Sequence, residues 1–284
     1  VSELSDLGLL ESLAAGPAIL FFDIETTPIL GWTWGMYKQN VLGVVKDSEV
    51  LCFAYRWRGQ KRKQWVGQNV DEVTLDADGV DIETPELYVV KRLRALLDAA
   101  DIVVAHNGDR FDVKKTNTRM LKHGLSQPSP YQKVDTLKLA RQNFDHGSNR
   151  LDNLARYHGS TRKVHHNGMP LWFGCMEGDE SSWRLMKRYN LGDIDPLVDM
   201  YEKFVPWVAP GQAGVPNMAH FGPEGANICP RCGRQDTLIK RGFTYRTGVS
   251  TFQSLQCSKA RGGCGGYARG RQRKPQLDGG VWAV

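Results

Sequence analysis

The run Ala18-Ile-Leu-Phe-Phe-Asp-Ile24 is short, continuous and apolar, yet a carboxylate sits inside it. Such a run reads as a buried strand near the centre of a sheet. Asp23 and Glu25, in F-F-D-I-E-T-T-P, are two residues apart, so a strand sends both side chains to one face. Two acids on one face of an apolar strand cost free energy unless something compensates them. A divalent cation would do so. A strand end that points both acids to water is the alternative reading.

The remaining pattern predicts a mixed α/β sheet covered by helices. Further strands are expected at 50–57, 62–66, 101–105 and 133–137, and helices at 85–100, 109–123, 151–158 and 182–205. Thr84-Pro85 supplies an N-cap and a first-turn proline, and Gly124 stands where a helix should end. Pro196 is expected to bend the last helix. Residues 208–226 are rich in Pro and Gly and read as a linker. The expected organisation is a large domain over 1–207, this linker, a cysteine-bearing module over 227–272 and a basic tail over 273–284.

Two further motifs accompany the first strand. Asp112, in H-N-G-D-R-F-D, falls in the first turn of a helix that follows a buried strand. The helix dipole favours a carboxylate there for purely structural reasons too. Tyr189 and Asp193, in Y-N-L-G-D, are four apart and share one helix face. A phenol beside a carboxylate can orient a water for attack, whereas an ordinary amphipathic helix can also carry both. Together these groups form what a two-metal phosphodiesterase needs.

The set, with D-T-L-K-L-A-R at 135–141 and L-D-N-L-A-R-Y-H-G at 151–159, resembles the DEDD (DnaQ-like) 3′–5′ exonuclease superfamily in its Tyr-bearing subclass, over roughly 18–205. W-T-W-G-M-Y-K-Q-N is similar to a segment of standalone phage-type members. The resemblance implies a ribonuclease-H-like fold and two Mg²⁺ or Mn²⁺ ions. It implies that Asp23 bridges the ions, that Glu25 and Asp193 hold the one that activates water, and that Asp112 supports the other. Tyr189 would position the water. The implied activity is release of nucleoside 5′-monophosphates from 3′ ends, on single-stranded DNA. An exoribonuclease, or a non-catalytic nucleic-acid-binding protein retaining the fold, stays open. Gly192 and Pro196 beside the last motif put its aim in question. Without metal, mutual repulsion of the acids is expected to raise a carboxylate pKa or leave the metal loosely held.

The cysteines are unevenly placed. Cys52 and Cys175 stand alone and read as structural thiols, while Cys229, Cys232, Cys257 and Cys264 crowd together. C-P-R-C followed by C-x₆-C, in a stretch with few large apolar residues, is expected to hold one structural Zn²⁺ as a zinc ribbon; two disulfides or a redox pair are the alternative. Gly262, Gly263 and Gly265 would shape the wider second knuckle. Charge follows the same division. From Asn227 onward there are 11 Lys/Arg against 2 Asp/Glu, within a net +6 for the chain. Arg231, Arg234, Lys240, Arg241, Arg246, Lys259, Arg261 and Arg269 surround the cysteines, interleaved with Tyr245, Phe252 and Tyr267. Cations for phosphates and rings for bases suit single-stranded nucleic acid; a solvated basic face is the plain alternative.

Other residues carry less. Trp32, Trp34 and Tyr37 could wall a groove for a terminal nucleotide or pack within a loop. Lys114 and Lys115 could touch phosphate or line a solvated helix face. His165 and His166 have no third ligand at suitable spacing, and His106 reads as a structural histidine. Nowhere is the chain apolar for the roughly 18 residues of a membrane helix. No secretory signal is read, so a cytoplasmic location is expected, in a host if phage-encoded, with replication or repair proteins as further partners.

Overall fold

The computed structural model describes residues 16–69, 84–160, 168–248 and 250–273. His165, His166 and the basic tail from 274 onward lie outside them. The chain divides into two compact units, Val1–Tyr201 and Glu202–Val284. Among the described residues no helix is long and apolar enough to cross a membrane.

The first unit opens with β1 (Ile19–Thr26), β2 (Leu30–Trp32), β3 (Gly43–Lys46), β4 (Val50–Trp57) and β5 (Gln64–Gly67). Then follow α1 (Pro85–Asp98), β6 (Ile102–Ala105), α2 (Asp112–Lys122), β7 (Gln132–Asp135) and α3 (Thr136–Asn143). The helices α4 (Leu151–Tyr157), α5 (Met169–Met176) and α6 (Glu180–Phe204) follow in turn. Five strands form a mixed sheet ordered β5-β4-β1-β6-β7, with β1 in the middle. β1 is antiparallel to β4 and parallel to β6. This is the ribonuclease-H-like mixed α/β sheet that the sequence predicts.

Strand alternation sorts β1 into two faces. Leu20, Phe22 and Ile24 join the core built with Val89, Leu93 and Leu97 of α1 and Val113 and Met120 of α2. Phe21, on the other face, meets Tyr201 of α6 edge-on at 5.3 Å. Asp23 and Glu25 therefore look toward α6. The strand runs on past Ile24 to Thr26, so both acids belong to its interior rather than to a frayed end.

Thr84 caps α1 as expected, accepting the N–H of Leu87 at 3.2 Å. Four elements, α3, α5, β2 and β3, were not anticipated. The segment 133–137, read as strand, splits: β7 ends at Asp135, whose carboxylate accepts the N–H of Leu137 at 2.9 Å and starts α3. α5 is apolar all round, so it shows no helical stripe in sequence. β2 and β3 form a separate two-stranded hairpin on which Trp32, Trp34 and Tyr37 are 70, 87 and 80% exposed, so these rings do not pack into a loop core. α6 continues through Pro196 to Phe204 as one helix. The ring leaves only the carbonyl of Gly192 without its usual helical donor.

α1 and α2 are clasped by a buried ion pair. Arg119 is fully buried and donates from Nε to Glu86 Oε1 at 2.6 Å and from Nη2 to Oε2 at 2.5 Å. His123 Nε2 lies 2.8 Å from Glu86 Oε2, and the N–H of Val50 reaches Oε1 at 2.9 Å. Burial pushes the Glu86 carboxyl up, but the bonds from Arg119, His123 and Val50 outweigh it and leave it below its usual range. A lowered carboxylate favours the fold above the ordinary Glu value, about 4.3, and that contribution fades as pH falls below it. We expect Arg119→Ala to cost about 3–5 kcal/mol in denaturant unfolding, because it strands a buried carboxylate. Glu86→Gln should flatten the acid limb of the stability–pH curve; an unchanged limb would show that another group sets it.

Candidate active site

The acids of the first and last motifs meet. One carboxylate oxygen each from Asp23, Glu25 and Asp193 lie within 4.8 Å of one another. β1 sets the first two at period two, and α6 brings the third across the same face of the sheet. Asp193 is buried at 2% exposure, while Asp23 and Glu25 are half-buried. The pairing of β1 with β4 slips between Glu25 and Thr26. Such an irregularity re-aims side chains at the rim of a sheet. Three clustered carboxylates of this kind could hold a hard divalent cation.

Asp112 stands outside that group. It opens α2 and is buried, and its Oδ1 accepts the N–H of Ile24 at 3.1 Å. The cause is topological: pairing of β1 with β6 ends at Phe21 opposite Val104, and Asp112 then takes over as acceptor. The Asp112 carboxyl is pushed up to about 7: burial raises it most, the N–H of Ile24 pulls it part of the way back, and the charge of Asp135 adds a smaller rise. For Asp112 desolvation is the largest cause, ahead of the charge of Asp135.

Tyr189 is 9% exposed and meets Trp172 edge-on at 6.1 Å. Burial, then the charges of Glu25, Asp193 and Asp23, push its phenol well above the usual tyrosine range. The hydroxyl thus keeps its proton at all physiological pH values. Gly192 and Pro196 do not spoil the helix: Tyr189 and Asp193 both face the acids of β1.

Three residues with parts in the site were not singled out from sequence. Asn190 Nδ2 donates to Asp23 Oδ2 at 2.9 Å and to the Asp23 carbonyl at 3.1 Å. It sits three residues before Asp193, on the same helix face, and that spacing was the available signal. Cys52, opposite Glu25 in the register, lies 3.8 Å from Asn190 Oδ1 and is kept a neutral thiol by burial. Asp135 accepts the N–H groups of Asn107 at 2.9 Å and Asp109 at 3.4 Å, fixing the exit from β6 where Asn107 takes a φ of 67°. Neighbouring acids are engaged elsewhere: Asp195 pairs with Arg56 at 2.9 Å and Lys63 at 2.7 Å, and Asp199 with Ser160. His106 bonds the Asn149 carbonyl at 3.0 Å and Thr136 at 2.9 Å, as a structural histidine does. Lys114 is exposed and Lys115 half-buried. On the α6 side a cleft of about 670 Å³ is lined by Thr27, Lys46, Trp65, Trp183, Arg184 and Lys187 among others.

In the second unit β8 (Leu238–Arg246), β9 (Thr251–Cys257) and β10 (Tyr267–Arg273) form a three-stranded sheet ordered β10-β9-β8. Residues 205–221 before it carry short 3-10 turns, with Val208, Val215 and Met218 buried. The sulfurs of Cys229, Cys232, Cys257 and Cys264 gather within 4.8 Å of one another. Cys229 and Cys264 are 3.9 Å apart and Cys232 and Cys257 3.8 Å. A disulfide is about 2.05 Å long, whereas metal–sulfur bonds near 2.3 Å give a tetrahedral edge of about 3.8 Å. The four thiols thus suit a metal ion and not a pair of bridges. The N–H groups of Cys264 and Gly266 point at the sulfurs of Cys257 and Cys264, at 3.2 and 3.4 Å. Hydrogen bonds from Cys229 and Cys264 hold the Cys232 thiol well below its usual range. Gly263 is obligatory, since a Cβ there would stand 2.5 Å from Cys257 Sγ and 2.6 Å from the Ser258 carbonyl.

The RNase_H superfamily model matches residues 20–205. Among curated proteins, a DNA polymerase III PolC-type from Ureaplasma parvum serovar 3 is 28% identical over 144 residues, 48% of this chain and 9% of that protein. Among solved structures, a family B DNA polymerase from Pyrobaculum calidifontis aligns with a TM-score of 0.47 at 17% identity, over 67% of this chain and 25% of that one. The chain thus spans only a small part of either polymerase.

Asn190 supports Asp23 without joining the three acids, so its loss should act through metal affinity. We expect Asn190→Ala to weaken Mn²⁺ binding by roughly 10–100-fold, read by calorimetry, with the fold intact by circular dichroism. Wild-type affinity in that variant would remove Asn190 from the site.

Proposed function

The chain belongs to the RNase_H superfamily, and on that premise we propose that it is a metal-dependent 3′–5′ exonuclease of the Tyr-bearing DEDD type, acting on single-stranded DNA and releasing nucleoside 5′-monophosphates. The observation that carries this reading is the meeting of Asp23, Glu25 and Asp193 within 4.8 Å, against a buried phenol. Such a cluster inside a folded sheet is costly without a cation.

In this reading Asp23, Glu25 and Asp193 hold Mg²⁺ or Mn²⁺, and Asp112 supports a second ion from the first turn of α2. When bound, such a pair of ions stabilises the entering and departing oxygens of an in-line displacement at phosphorus. Asn190 keeps the Asp23 carboxylate aimed. Tyr189, locked in its protonated form, orients water by hydrogen bonding and does not serve as a base. In the neighbouring cleft Lys187, over the Trp65 ring, offers a cation to a sugar–phosphate backbone, while Lys46 and Arg184 are paired there with Glu49 and Glu180. The likeness to a DNA polymerase III supports DNA as the polymer, and replication or repair proteins as partners. The order of the motifs supports the 3′–5′ direction. Residues 1–207 form the nuclease domain, joined through 208–226 to a zinc ribbon at 227–272 and a basic tail at 273–284. Cys229, Cys232, Cys257 and Cys264 hold one structural Zn²⁺, and the ribbon adds affinity for the strand.

The test uses matched 3′- and 5′-labelled DNA and RNA oligonucleotides with Mg²⁺. Wild type should release labelled mononucleotide from 3′-labelled DNA and shorten 5′-labelled DNA stepwise, and Asp23→Ala should lose at least about 10²-fold of this activity. Binding without cleavage by both proteins would leave a nucleic-acid-binding module instead, and preferential cleavage of RNA would replace the polymer. Tyr189→Phe should lower kcat by about 10²-fold with KM nearly unchanged. Because the phenol stays protonated, its titration should set no limb of the pH–rate profile, which should keep its shape in that variant; loss of the limb that rises with pH would make Tyr189 the base.

A further inference from the structure

We propose that one face of the β8-β9-β10 sheet is a stacking platform for unpaired bases of a nucleic-acid strand, a proposal that rests on the nucleic-acid reading above and assigns its contact surface. Register defines the face. Phe252 lies opposite Tyr245, and Gln256 lies opposite both Ile239 and Tyr267. Arg269 is opposite Ser254. Phe252, Ser254 and Gln256 alternate along β9, so their partners share one side. The other side carries Leu238 and Cys257 and is committed to the sulfur cluster.

On the free side cations and rings interleave. The Arg269 guanidinium lies 4.1 Å from the centroid of Phe252. That of Arg241 lies 5.3 Å from Phe243 and 5.7 Å from Tyr267, and its Nη1 donates to Gln256 Oε1 at 2.6 Å, which fixes its plane. Phe243, Tyr245 and Tyr267 remain 52, 46 and 50% exposed. A ring with a guanidinium on one side and water on the other offers its open side to a further flat group. The three strands contain Lys and Arg but no Asp or Glu, so their charge is complementary to phosphate. Open rings beside uncompensated cations suit bases and backbone together, which is the chemistry of single-strand recognition.

The geometry also divides the cations proposed from sequence. Arg231 donates from Nε to the Tyr267 carbonyl at 2.9 Å and also bonds the Val208 carbonyl. Arg234 donates to the Gly262 carbonyl at 2.7 Å. These two are braces of the module, and the strand contacts fall to Arg241 and Arg269.

The test uses the full zinc-loaded chain in Ca²⁺, with labelled oligothymidylate, oligouridylate and an abasic strand of equal length. Zinc content verifies folding of each variant. Wild type should bind the base-bearing strands more tightly than the abasic one. Tyr267→Ala should weaken base-bearing strands by about 5–100-fold and leave the abasic strand unchanged, while Tyr267→Phe stays near wild type. Arg241→Gln with Arg269→Gln should reduce the salt slope by about 1.4. Unchanged binding in zinc-loaded Tyr267→Ala, with wild-type hydrolysis of labelled DNA ends, overturns the platform and leaves the exonuclease reading standing. A wild-type chain that neither binds nor cleaves any strand overturns that reading itself.

Discussion

The structure turns on negative charge placed inside the central strand of a buried sheet. β1 is apolar on both faces until Asp23, and alternation sets Asp23 and Glu25, both half-buried, on the face opposite Leu20, Phe22 and Ile24. Strand periodicity sends the two acids toward α6, and α6 answers with one turn of polar groups. Tyr189, Asn190 and Asp193 fall on one helix face because they are spaced by three and four residues. Each has a different part: a neutral hydroxyl, an amide that grips Asp23, and a third carboxylate.

The first-turn acid of α2 follows from the same topology. β6 is shorter than β1, so the backbone of β1 beyond Phe21 needs a new partner, and Asp112 meets Ile24 one residue from Asp23. Asp135 steadies the same junction by taking the N–H groups of Asn107 and Asp109. On the far face the Glu86–Arg119 pair binds α1 to α2 and to the first residue of β4. Charge is thus buried on both faces of one sheet, compensated by an internal arginine on one side and clustered as acids on the other. The cluster of three acids is the one suited to an external cation.

The second unit solves a different problem. Its apolar residues are few, and the sulfur cluster supplies the buried centre that they do not. The second knuckle depends on backbone freedom, with Gly262 at a φ of 73° and Gly263 pressed against Cys257 Sγ. With its inner side given to the cysteines, the small sheet can leave aromatic side chains half-exposed on the other.

Much of this was written in local pattern. The apolar run at 18–24, the cap at Thr84, the helix face shared by Tyr189 and Asp193, and the crowding of four cysteines all express short-range rules of period and spacing. They sufficed for the sheet class, for the acids and for the sulfur group. The sequence by itself could not say that Asp112 would hold the backbone of β1 and stand apart from the other three acids, because that depends on where β6 stops. Nor could it find Asn190 and Cys52, which gain their parts from strands and helices distant along the chain, or tell Arg231 and Arg234, spent on carbonyls, from Arg241 and Arg269, stacked on rings. Periodicity fixes which way a side chain faces, whereas only the packed neighbours decide what it meets there.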